Sequence, residues 1–194
     1  MPSRPAGKAE RSAEDAVRPA ISASDQFRPA GRSVKFMPSV SPDSAPRSAE
    51  LVARIDGGSR GNPGPAAFGA VMETAEGKVI DALSGYLGRA TNNVAEYRGL
   101  LAALDYATSR HYTRLRVLSD SQLLVRQILG QYKVKNPGLK PLHESARRLI
   151  AGLESFTIRH VYREENREAD RLANQALDAA ERMTTHRDRS GIEG

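Results

Sequence analysis

Four carboxylates in this chain fall where strands and helices begin or end. They are Asp56 in "ARIDGGSRGNPGP", Glu96 in "TNNVAEYRGLLAAL", Asp120 in "RLRVLSD" and Asp170 in "NREADRLANQAL". Each alone has a bland reading: Asp56 and Asp120 as turn formers at strand ends, Glu96 and Asp170 as acids in the first turn of a helix, where the dipole favours them. Together they make a chemical statement. Carboxylates crowded into one crevice raise one another's pKa and oppose folding unless a cation joins them. With no cysteine in the chain, ligation is by oxygen, which points to magnesium, with manganese as a substitute. Two such ions about 3.5–4 Å apart form the clamp that serves in-line attack on a phosphodiester.

The elements needed to gather these acids are legible. "ELVARID" reads as a strand ending at Asp56, followed by a glycine loop. "AFGAVMETA" and "VIDALSGYL" read as two strands joined through Glu76-Gly77. Tyr97, Leu100, Leu101 and Leu104 share one face of a helix opened by "TNNVAE". "RLRVLSD" is a strand, "SQLLVRQILG" a helix closed by Gly130, and a further helix is expected from about Leu139 to Leu153. "FTIRHVYR" and "NREADRLANQALDAAE" complete the order β-β-β-α-β-α-α-β-α. Three strands followed by α/β alternation predict a mixed sheet with helices on both faces. If the first and fourth strands are parallel neighbours, Asp56 and Asp120 open into one crevice, and Glu96 and Asp170 reach it from flanking helices.

Around this domain, expected at residues 51–181, composition changes. Proline, serine and alanine make up half of residues 1–50, which reads as a disordered tail, with Met37 a candidate alternative start. Residues 182–194 read as a second flexible tail. The chain has 194 residues, no apolar run of membrane-spanning length and no secretory signal pattern, so the expected location is cytoplasmic and the default state a monomer. A net charge of +6 leans mildly toward a polyanionic partner.

The four segments, in this order and with 40, 24 and 50 residues between successive acids, resemble the signature segments of type 1 ribonuclease H over residues 51–181. The resemblance implies a five-stranded mixed sheet of order 3-2-1-4-5, with strand 2 antiparallel and helices on both faces. It implies two-metal, magnesium-dependent endonucleolytic cleavage of the RNA strand of RNA–DNA hybrids. Asp56, Glu96, Asp120 and Asp170 match the family's catalytic, metal-binding carboxylates. The glycines after Asp56 would then let the hybrid's backbone come close. A Walker loop is excluded, since no Gly-Lys-Ser/Thr follows and the loop opens a strand.

Cutting RNA alone requires a sensor for the 2′-hydroxyl. By resemblance the candidates are the backbone of Gly57, Gly58 and Ser59 and the side chains of Asn62, Asn92, Asn93 and Gln122. Their alternatives are structural, Asn62 as a turn residue and Asn92 as a helix cap. Arg89 and Thr91, in "GRATNN", resemble a pocket for a DNA-strand phosphate, against the alternative of an exposed loop arginine. Asn166 is read either as the cap of the last helix or as the group that orients the attacking water. Many relatives carry a mobile histidine before that helix; "YREENREAD" has none, and Arg163 or Glu164 is the candidate replacement. His160 reads as a sheet residue. The basic protrusion of some relatives is also missing, leaving Lys133, Lys135, Lys140, Arg147 and Arg148 as a weak basic surface or a solvated face. The rival to a nuclease is a catalytically silent nucleic-acid-binding module on the same fold.

Overall fold

The computed structural model describes residues 49–190, with side chains as far as residue 183. The expected N-terminal tail therefore lies outside the described residues, apart from its last two positions. Five strands, β1 (Glu50–Ser59), β2 (Gly64–Thr74), β3 (Val79–Ala90), β4 (Arg114–Ser119) and β5 (Ser155–His160), form one sheet in the order β3-β2-β1-β4-β5. β2 is antiparallel to both of its neighbours, whereas β1, β4 and β5 run parallel. The helices are α1 (Asn92–Ser109), α2 (Gln122–Ile128), α3 (Lys140–Ala151) and α4 (Arg167–Ser190), with a single 3₁₀ turn at Arg163–Glu165. This is the mixed five-stranded sheet that the resemblance implies.

Strand alternation assigns the two faces of β1. Leu51, Ala53 and Ile55 are fully buried in the core shared with Tyr97, Leu100, Ala103, Leu104 and Ala107 of α1. The opposite face of the sheet meets α4, with Leu177 beside Gly58 of β1 and Ala169 and Ala173 beside Gly69 of β2. Two glycines make these approaches close. A Cβ on Gly57 would lie 2.2 Å from the Glu96 nitrogen of α1, and one on Gly69 would lie 2.2 Å from the Ala169 oxygen of α4. The nearest reason for glycine at position 57 is thus the close packing of α1.

The ends of β1 and α4 differ from those expected. β1 continues past Asp56 to Ser59, because the hairpin with β2 continues to the Ser59–Ala66 pair. Its parallel pairing with β4 stops at Ile55–Ser119, so Asp56 sits one residue beyond that seam. α4 runs to Ser190 rather than stopping at 181, there being no proline or glycine before Gly191; residues 191–194 lie outside the described residues. Among the described residues, no helix is long and apolar enough to cross a membrane.

Candidate metal centre

At the end of the β1–β4 seam, Asp56, Glu96 and Asp120 each offer a carboxylate oxygen, all within 4.8 Å of one another. Asp56 projects from β1 and Asp120 follows the last residue of β4. Glu96 arrives from α1, as its fifth residue rather than within its first turn. The difference follows from the cap: Thr91, not Asn92, closes α1, its Oγ1 accepting from the Val94 N–H at 3.3 Å.

The electrostatics of this trio are severe. Burial, then the Asp120 and Asp170 carboxylates, push Asp56 up to about 7. Burial, followed by Asp56 and Asp120, holds Glu96 well above the ordinary carboxylate range, against a lowering hydrogen bond from the Gly57 backbone. The Glu96 Oε2 oxygen is buried with no hydrogen-bond partner. The large majority of buried polar atoms in folded proteins have a hydrogen-bond partner. A buried, unpartnered carboxylate oxygen in a group clustered with two more carboxylates fits a divalent cation with oxygen preference.

Asp170 is not part of the tight trio. It lies in the first turn of α4, with Oδ1 accepting from Arg163 at 2.8 Å, and its charge still acts on Asp56. Arg163 is largely exposed and is favoured in its charged form first by Asp170, more weakly by Asp56 and Asp120. Asn166 is fully buried before α4. Its backbone oxygen accepts from the Asp170 N–H at 3.1 Å, but its side chain does not cap the helix. Instead its Nδ2 donates to the Ile55 carbonyl at 2.8 Å and to Asp120 Oδ1 at 3.2 Å, while Oδ1 has no partner. His160 is the exposed last residue of β5, against the ring of Tyr162.

The remaining candidates divide. Asn62 Oδ1 accepts from the Asn92 N–H at 3.3 Å, joining the β1–β2 loop to the start of α1. Asn93 is partly buried in the first turn of α1, and Gln122 is exposed at the start of α2. Ser59 and Gly58 lie at the open end of β1, where a Cβ on Gly58 would find its nearest atom at 4.0 Å. Arg89 is exposed near the end of β3, two residues before the Thr91 cap.

One contributor escaped sequence reading. Arg54 donates from Nε to Glu73 Oε1 at 3.0 Å and from a terminal nitrogen to the Glu165 carbonyl at 2.9 Å. Its only sequence signal was a charge two positions before Asp56, and hence on the same strand face.

Comparison with known proteins agrees with this architecture. The family described as "Reverse transcriptase-like" matches residues 54–176. The chain is 50% identical over 132 residues to the bifunctional protein Rv2228c of Mycobacterium tuberculosis, covering 68% of this chain and 36% of that protein. It thus spans about a third of the length of the mycobacterial curated relatives it matches. It is 42% identical over 141 residues to ribonuclease HI of Halobacterium salinarum, covering 73% of this chain and 69% of that protein. The structure of LC11-RNase H1 in complex with an RNA/DNA hybrid is similar at a TM-score of 0.65 and 38% identity, covering 67% of this chain and 98% of the other.

Proposed function

The chain belongs to the reverse-transcriptase-like ribonuclease H family, and from that membership we propose that it is a metal-dependent endoribonuclease acting on the RNA strand of RNA–DNA hybrids. The observation that carries the proposal is the trio Asp56, Glu96 and Asp120, each with a carboxylate oxygen within 4.8 Å of the others, and with one Glu96 oxygen buried without a partner. These three, with Asp170 beside them, would hold magnesium in a two-ion arrangement, or manganese in its place. When bound, the metal supplies a polarised water and neutralises charge on the phosphodiester.

The chain's own groups do the rest. Asn166 holds Asp120 in place through Nδ2, and the orientation of an attacking water is assigned to it on the family resemblance. Arg163, tied to Asp170, offers a guanidinium at the site where relatives carry a histidine. It cannot shuttle protons near neutral pH, so its part is to hold Asp170 or to accompany the departing product. Recognition of ribose is assigned to the backbone of Gly57, Gly58 and Ser59 and to Asn62, Asn92, Asn93 and Gln122. Arg89 with Thr91 is assigned to a DNA-strand phosphate. A similar protein has been solved with an RNA/DNA hybrid, which supports this choice of substrate. A cytoplasmic monomer completes the proposal.

An end-labelled hybrid, with matched double-stranded RNA and DNA as controls, tests it under magnesium, manganese or EDTA. Internal cuts in the hybrid's RNA alone, absent with EDTA and in Asp120→Asn, are the expected result. Binding without cutting under either metal would identify a silent module instead.

A further inference from the structure

The turn before α4 carries two site residues, Arg163 and Asn166, and the Asn166 side chain ties its end to β1 at the Ile55 carbonyl. Arg54 supplies a second tie, to the turn's backbone. It projects from β1 on the same face as Asp56. One side of its guanidinium meets Glu73 of β2 at 3.0 Å; the other meets the carbonyl of Glu165 at 2.9 Å. Glu165 itself turns back, its carboxylate accepting from the Tyr162 N–H at 3.2 Å and closing the 3₁₀ turn. The next residue is Asn166, whose amide spans Ile55 and Asp120. A continuous chain of contacts therefore runs from Glu73 through Arg54 and the Glu165–Asn166 backbone to Asp120.

We propose that Arg54 is a positioning residue for the metal centre. By pinning the Glu165 carbonyl to the β1–β2 hairpin, it seats Asn166 against Asp120 and sets where Arg163 and the first turn of α4 stand. The geometry suits arginine in particular. A planar fork reaches two acceptors on different elements at once, which a single ammonium does less well. Glu73, its side chain 12% exposed, fixes one arm of the fork and leaves the other directed at the turn. This inference rests on reading the acidic trio as a metal site, but the contact chain itself requires no metal.

The test compares the full chain with Arg54→Met, which keeps the aliphatic stem, and Arg54→Lys, which keeps one donor and the charge. The first readout is the side-chain amide resonances of Asn166 in metal-free protein. The second is kcat and KM for hybrid cleavage, with magnesium affinity by calorimetry. In Arg54→Met the Asn166 resonances should move, and kcat or magnesium affinity should fall about tenfold or more at unchanged KM for the hybrid. Arg54→Lys should recover part of both. If the Asn166 resonances and kcat of Arg54→Met match those of the unaltered protein, the proposal is overturned, whatever happens to Tm. Should Arg54→Met fail to fold, Glu73→Gln, which loosens one anchor of the same guanidinium, takes its place with the same two outcomes. An unaltered protein that binds no magnesium would overturn the metal reading alone, leaving the Asn166 result to decide the role of Arg54.

Discussion

Glu96 shows how costly a metal-ready side chain is when no metal compensates it. Its Oε2 is buried, unpartnered and beside two further acids. Replacing it by glutamine removes the charge while nearly preserving shape. Glu96→Gln should lower cleavage about a hundredfold or more, since a ligand is lost. The same variant should raise the Tm of metal-free protein near neutral pH, as followed by circular dichroism. Activity and stability would move in opposite directions. The pH dependence follows from the same residues. Asp56, pushed up to about 7 by burial and by Asp120 and Asp170, keeps its proton at pH values where the unfolded chain has released it. Glu96 behaves likewise. The folded state then binds more protons than the unfolded state above the ordinary carboxylate range, so stability falls as pH rises. The metal-free Tm should therefore decline from about pH 4 to about pH 7, and added magnesium should raise it more at pH 8 than at pH 5. Thermal scans at fixed ionic strength measure both.

At the scale of elements, the site depends on how closely α1 and α4 approach the sheet. Gly57 lets α1 carry Glu96 onto Asp56, and a Cβ there would meet backbone at 2.2 and 2.3 Å. Backbone cannot swing aside as a side chain does. Gly57→Ala should cost about 3 kcal/mol or more by urea denaturation, at the upper end of overpacking effects. Gly58→Ala, whose nearest neighbour would be Leu177 Cδ1 at 4.0 Å, should be close to neutral and serves as its control. The β1–β2 loop is held from the other side as well. Arg60 forms ion pairs with both Asp178 and Glu181 of α4. Asn62 joins the same loop to the start of α1. The loop that sequence alone presents as a bare glycine turn is in fact anchored to two helices.

At the scale of the whole molecule, charge is the property that a polyanionic partner meets first. The chain carries 29 lysines and arginines against 23 acids, and several of those acids are gathered at one site. Hybrid binding should accordingly weaken with salt, by about a hundredfold between about 50 and about 200 mM if three or four phosphates are neutralised. Fluorescence anisotropy with a hybrid and the Asp120→Asn variant, whose cleavage is expected to be lost, measures the slope.

The sequence by itself determined much of this protein. Periodicity set the elements, because strand alternation and helical repeat are local properties, and position at element ends, with the family resemblance, singled out Asp56, Glu96, Asp120 and Asp170. The parallel pairing of β1 with β4 was likewise legible as a condition, and the sheet meets it. Other features were decided only by tertiary contact. The cap of α1 is Thr91 rather than Asn92, its hydroxyl accepting from the Val94 N–H, while the Asn92 N–H donates to Asn62 across the β1–β2 loop. Asn166 turned from a helix cap into a bridge between Ile55 and Asp120. Gly57 answers to α1, and Arg54 answers to a carbonyl 111 residues away. No window along the chain contains those partners. Hydrogen bonds and close approaches between residues distant in sequence exist only once the sheet has brought them together, and they settle which of several locally reasonable roles each side chain takes.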